Sequence, residues 1–237
     1  MIINRSFSSS LSNKERFGSL KSLVLLVVIA ILATSNSYAQ ASFETIDGLR
    51  YLIDSDAKTA MLTVNNGEKY SGYIVVPEKV KASDGVEYPV TAFGDNAFKD
   101  CDGLKSITIP SSVTSLGKYC FSECSGLTSI TIPSSVTSLG YACFEKCSGL
   151  TNITIPSSVT SLPEFCFNFC YSLTSITIPS SVTSLGNGCF GDCSGLTSIT
   201  IPSSVTSLGE SCFEKCSGLT SITIPSSVVS LGDGCFQ

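Results

Sequence analysis

Cys124–Lys146 reads CSGLTSITIPSSVTSLGYACFEK, and these 23 residues return with few changes from Cys101 to the end of the chain. The copies open at Cys101, Cys124, Cys147, Cys170, Cys193 and Cys216, and the last stops one residue short of completion. A unit this small cannot bury its own apolar side, so a fixed period in this range predicts stacked coils, each covering the next.

The quoted copy also gives the path of one coil. Its apolar slots are Leu127, Ile130, Ile132, Val136, Leu139, Cys143, Phe144 and Cys147. Ile130 and Ile132 alternate with Thr131, the period of a strand with one buried face. Pro133 lacks an amide hydrogen and ends that strand. Val136–Leu139 reads as a second extended piece, released by Gly140. Phe144 and Cys147 stand three apart, which predicts one helical or 3₁₀ turn over Tyr141–Cys147. The apolar slots and their 23-spaced equivalents should form buried ladders, with Thr131 and its equivalents outward.

Working outward from the array, Val90–Phe98 (VTAFGDNAF) matches the second half of a copy, so the array is placed at 90–237 as a half repeat plus six copies. Residues 40–89 differ in character. Leu49–Ile53, Ala60–Val64 and Tyr73–Val76 read as strands, separated by turn signals at Asn65-Asn66-Gly67 and Asp84-Gly85. This β-rich segment fits an N-terminal cap over the first exposed core face. Residues 1–39 read as a signal peptide. Arg5, Lys14, Arg16 and Lys21 precede an 11-residue apolar run, Leu23–Ala33, too short to cross a bilayer. Ser37-Tyr38-Ala39 places cleavage before Gln40, which implies an exported protein, secreted or at the cell surface. Without that leader the chain holds 10 basic and 18 acidic residues, a net charge of −8. Such a chain has no electrostatic route to nucleic acid or anionic lipid, and its mature part holds no membrane span.

All twelve cysteines lie in the array, in two slots. One opens each copy; the other is Cys120, Cys143, Cys166, Cys189, Cys212 and Cys235. The half repeat has Ala97 in the second slot, so that position takes a small apolar filler, a role buried free Cys can play. Stacked thiols are the expected state. Disulfides between adjacent rungs are the alternative, since a strand spacing of ~4.8 Å lies within reach of a bridged pair.

The pattern L-x-x-I-x-I-P-x-x-V-x-x-L-G-x-x-(A/C)-F-x-x-C, entered through Tyr88–Phe98, resembles the BspA-type leucine-rich repeat over about 88–237. The resemblance implies a right-handed, β-rich leucine-rich-repeat solenoid. It also implies a surface or secreted protein engaged in adhesion to host matrix proteins or other cells. Cys stands where the family usually has Ala in the second slot. The family brings no shared catalytic residue.

Residue inventory argues against an enzyme. The chain has no His, which removes Ser-His and Cys-His nucleophile pairs, and it has no phosphate-binding glycine loop. No cofactor or metal is expected: C-F-x-x-C without His is a poor zinc signature. Two surfaces are candidates for recognition. Thr108, Thr131, Thr154, Thr177, Thr200 and Thr223 form one column beside another running from Ser106 to Ser221, a nearly uncharged face. Thr also simply suits an exposed strand. The second candidate lies where the copies disagree. Pro163 replaces Gly, Phe165 and Phe169 fill slots that are mostly small or charged, and Tyr171 replaces Ser or Asp. Tyr119 and Tyr141 stand alongside. Clustered exposed rings mark protein contacts, although such rings also pack over a coil corner. The functional expectation is a scaffold that binds a protein partner, a host matrix or cell-surface protein; the alternative is a spacer with no specific ligand. The sequence shows no C-terminal sorting motif and no polar end cap, which implies truncation or a partner covering that end.

Overall fold

The computed structural model describes residues 41–237; the leader expected over 1–39 and its cleavage point lie outside them. The first strands are β1 (Ala41–Ile46), β2 (Leu49–Asp54), β3 (Thr59–Leu62), β4 (Gly72–Val75), β5 (Lys79–Lys81) and β6 (Glu87–Phe93). Strands β2 and β3 pair antiparallel, burying Leu49, Tyr51 and Ile53 with Ala60 and Leu62 on one face. Strand β6 lies parallel to β3 and antiparallel to β5.

From there the chain repeats one coil. Its longer strands are β7 (Leu104–Thr108), β9 (Ser129–Thr131), β11 (Asn152–Thr154), β13 (Ser175–Thr177) and β15 (Ser198–Thr200). Its two-residue strands are β8 (Ser115–Leu116), β10 (Ser138–Leu139), β12 (Ser161–Leu162), β14 (Ser184–Leu185), β16 (Ser207–Leu208) and β17 (Ser230–Leu231). Strands β9, β11, β13 and β15 form a parallel sheet in register, pairing Ile130 with Ile153 and Ile176 with Ile199. Strand β7 pairs with β4 and lies beside β9. The short strands continue the first sheet from β6 through β8 to β10; a second ladder runs through β12, β14, β16 and β17. Ile130, Ile132, Val136, Leu139 and Phe144 are buried and Thr131 is exposed, the alternation expected for a pleated strand with one wet face. Serine supports the bend after proline: Ser135 Oγ donates to the Val113 carbonyl one coil back (2.7 Å), as Ser181 does to Val159 (2.7 Å).

The expected helical turn over Tyr141–Cys147 is absent. Two β-turns follow one another instead, each with a left-handed residue, Ala142 (φ 52°) and Lys146 (φ 56°). Alternate amides leave the coil: Ala142, Phe144 and Lys146 donate to Glu164, Cys166 and Asn168 of the next (3.0, 2.9 and 2.7 Å). A helix would consume those donors within one coil. Turning every second amide along the stack makes this arm a third inter-coil ladder. It carries an in-line column of stacked rings, Phe98 through Phe236, with centroids 5.2–5.6 Å apart.

The last coil departs from the buried ladders. Ile224, Leu231 and Phe236 are 39%, 55% and 43% exposed, Leu219, Ile222 and Val228 are half-buried, and 221–223 form no strand. Among the described residues these side chains have a neighbouring coil on one side only. Ile176→Ala, in a covered coil, should therefore cost on the order of 2–5 kcal/mol, and Ile222→Ala clearly less. Equal losses in urea denaturation would argue against nearest-neighbour stacking.

Candidate functional site

The nucleophile candidates are the thiols, and all twelve are free and buried, so no rung-to-rung disulfide forms. The two slots do different work. In the opening slot sulfur is a hydrogen-bond donor: Cys124, Cys147, Cys170, Cys193 and Cys216 reach the Phe98, Phe121, Phe144, Phe167 and Phe190 carbonyls at 3.0–3.2 Å. The second slot stacks thiols as filler, continuing Ala97. Burial pushes Cys147, Cys170 and Cys189 well above the ordinary thiol range. A neutral, inaccessible thiol is a poor nucleophile, and no group of metal-ligating residues occurs among the described residues.

The aromatic residues divide into two groups. Tyr119, Tyr141 and Phe165 form one edge-to-face run across three coils, with centroids 5.2 and 5.6 Å apart. Lys99 Nζ lies 5.2 Å over the Tyr119 ring at one end. At the other end Phe165 covers Gly188, where a Cβ would lie 2.6 Å from the ring. Burial and a hydrogen bond with Tyr119 push the Tyr141 phenol above its ordinary value. Phe169 pairs with Tyr171 instead (6.0 Å). The first three rings and Phe169 are half-buried, and Tyr171 is 49% exposed.

Tyr119, Phe165 and Phe169 also hold left-handed backbone (φ 54°, 55° and 60°), a region bulky side chains rarely take and which costs about 1–3 kcal/mol. Other copies place Ala142, Gly188, Ser211 or Gly234 in the slot of Tyr119 and Phe165. The fourth copy accommodates the third: Gly188 lies under Phe165, and a Cβ on Gly191 would lie 2.5 Å from Asn168 Nδ2. The sequence showed these two glycines only as departures from the repeat, so their role went unread.

The Thr column is exposed throughout, in register from Thr131 through Thr154 and Thr177 to Thr200. Two residues missed in the sequence extend this face: on β4, Tyr73 pairs with Ser106 and Val75 with Thr108, and they are 83% and 72% exposed. In GYIV every residue after the glycine is apolar, so no alternation marked the outward pair. A shallow groove of about 760 Å³ follows the short strands, floored by Ser184, Gly186 and Gly209 and edged by Glu164, Asn187 and Glu210.

The family described as BspA type leucine rich repeat region matches residues 91–217 and 161–237, in six copies. Among solved structures, a leucine-rich repeat protein of T. pallidum is similar at 29% identity and a TM-score of 0.69, over 78% of this chain and 83% of that one. A leucine-rich repeat protein from Eubacterium ventriosum is similar at 25% identity and a TM-score of 0.68, over 85% of this chain; the match spans half of that protein. No curated protein matches the chain.

Two outcomes test this geometry. Above pH about 9, the ordinary value of a thiol, the unfolded chain releases protons that the folded chain keeps. The unfolded state then binds fewer protons, so stability is full below that pH and falls as pH rises. The urea midpoint should drop between pH 8 and 10.5, less steeply in Cys166→Ala/Cys189→Ala. Separately, Gly188→Ala should lower stability by about 1–3 kcal/mol, and by less when Phe165 is already Ala, because the new methyl meets that ring. A thermal-melt double-mutant cycle showing no coupling would disprove the contact.

Proposed function

The chain belongs to the BspA-type leucine-rich repeat family, and we propose that it is an exported binding scaffold that engages a protein partner at the cell surface or after secretion. The family model covers the array alone, and the described residues hold no helix long and apolar enough to cross a membrane. Export rests on the leader pattern of residues 1–39, and the β-rich residues 40–89 are assigned as the cap of the array. The partner is a host matrix or cell-surface protein.

One observation carries the binding reading: large rings stand in slots that other copies fill with Ala142 and Ser211 or with Glu123, Lys146 and Asp192. Phe165 and Phe169 are only half-buried there, and the fourth copy supplies glycines that make room for the third. A pure spacer would be served equally well by the consensus copy, which holds Ala142 and Lys146 in the same two left-handed slots and presents no ring there. Binding energy at protein interfaces concentrates in a few aromatic anchors. The contact surface is therefore assigned to Phe169 and Tyr171, flanked by the Tyr119, Tyr141 and Phe165 run. No catalytic step is assigned to the chain.

Phe165→Ala, Phe169→Ala, Tyr171→Ser together should leave the β-rich circular dichroism spectrum unchanged. They should weaken binding to an immobilised panel of extracellular-matrix proteins at least tenfold, since anchors of this kind each contribute about 2 kcal/mol or more. Binding unchanged in the folded variant would remove the site from this corner, and absence of binding to the whole panel by the parent chain would favour the spacer.

A further inference from the structure

The sheet face begun by Tyr73 and Val75 lies apart from the aromatic corner and has chemistry of its own. Tyr73 pairs with Ser106 and Val75 with Thr108, and β7 lies beside the sheet that carries the Ser129–Ser198 and Thr131–Thr200 columns. The Tyr73 ring follows a register shift between Gly72 and Tyr73 and, at 83% exposed, contributes nothing to the core beneath it. Neither column contains an Asp, Glu, Lys or Arg, although residues 40–237 carry a net charge of −8. The hydroxyls of Thr131, Thr154, Thr177 and Thr200 make no hydrogen bond among the described residues. The next column differs: Thr151 and Thr197 each spend their hydroxyl on a carbonyl one coil back (3.1 and 3.2 Å).

We propose that this face binds an extended, uncharged polysaccharide lying along the stack, with Tyr73 as the stacking platform at one end. Three features select that ligand. These two columns carry no charge to hold a polyelectrolyte, exposed Lys105 standing in the adjoining column, and a basic protein segment would find its carboxylates elsewhere, along the Glu164–Glu210 edge. Each rung offers hydroxyls, or the Asn152 amide, that both donate and accept, as the hydroxyls of a sugar do. The surface repeats by one coil, so a polymer of identical units can engage several rungs at once, where a folded protein surface presents no matching repeat. Linked weak contacts of this kind add up. An exposed ring beside polar groups is what the apolar C–H face of a pyranose requires.

Native affinity electrophoresis of the purified chain through gels containing dextran, yeast mannan or mixed-linkage β-glucan tests the assignment, with alginate as the charged comparison. At least one neutral polysaccharide should retard the protein. Tyr73→Ala should weaken that retardation about tenfold, and Thr177→Glu, which sets a charge in the centre of the face, should abolish it. Both positions are exposed, so both variants should keep the parent melting temperature. The corner variant Phe165→Ala/Phe169→Ala/Tyr171→Ser should be retarded like the parent, which separates this outcome from that of the protein-binding surface. Retardation by alginate alone, retardation unchanged in both face variants, or none with any neutral polysaccharide would overturn the proposal.

Discussion

The structure depends on coils approaching closely enough for backbone amides to cross from one to the next. That approach is enforced where side chains are missing. A Cβ on Gly117 would lie 2.5 Å from the Gly94 carbonyl carbon, so a larger residue there would push two coils apart. With the gap closed, Gly117 N–H donates to Phe93 and Gly209 N–H to Leu185, at 2.8 and 2.9 Å. The rest follows from this spacing. Phenylalanines stack face to face, opening-slot thiols reach a carbonyl in the previous coil, and the second serine of each Pro-Ser-Ser finds a valine carbonyl one coil back. No coil supplies its own core, so each of these interactions is a statement about its neighbours.

That dependence explains what could be read in advance. Periodicity exposes anything every coil does alike. The Ile-Thr-Ile alternation, the proline stop and the two cysteine slots were legible because six copies repeat the same solution. The turn arm was misread because Phe144 and Cys147, three apart, satisfy a helical spacing and a pair of β-turns equally. What separates them is the direction of the amides, and a single coil does not show where the next will offer a carbonyl. The one-sided last coil was legible from the missing polar end cap, but which of its side chains lose cover was not. Ile222 and Ile130 are one residue type in one slot, and only the missing neighbour leaves Ile222 half-exposed.

The five aromatic residues were visible as deviations, but their division into two groups was not. It depends on stacking: Tyr119, Tyr141 and Phe165 meet from three successive coils, whereas Phe169 meets Tyr171, two residues along the chain. Tyr73 was passed over for the opposite reason: it lies before the array, where no copies exist to define a consensus.

Pro163 shows how the stack absorbs a local fault. It stands in the glycine column and has no amide to give, so the Leu139 carbonyl receives no bond like the one Gly186 makes to Leu162. The short-strand ladder accordingly stops at β10 and resumes at β12. Leu139 is 8% exposed, against 1–2% for Leu116, Leu162 and Leu185. The turn arm is intact across the same junction, and there Tyr141 packs edge-on against Phe165. One coil-to-coil contact is thus weakened on the short-strand side and reinforced with rings at the corner. Because couplings in a one-dimensional stack act between neighbours, the fault stays confined to the junction between Leu139 and Pro163. The rings of Tyr141 and Phe165 thus meet at a joint whose short-strand ladder is open.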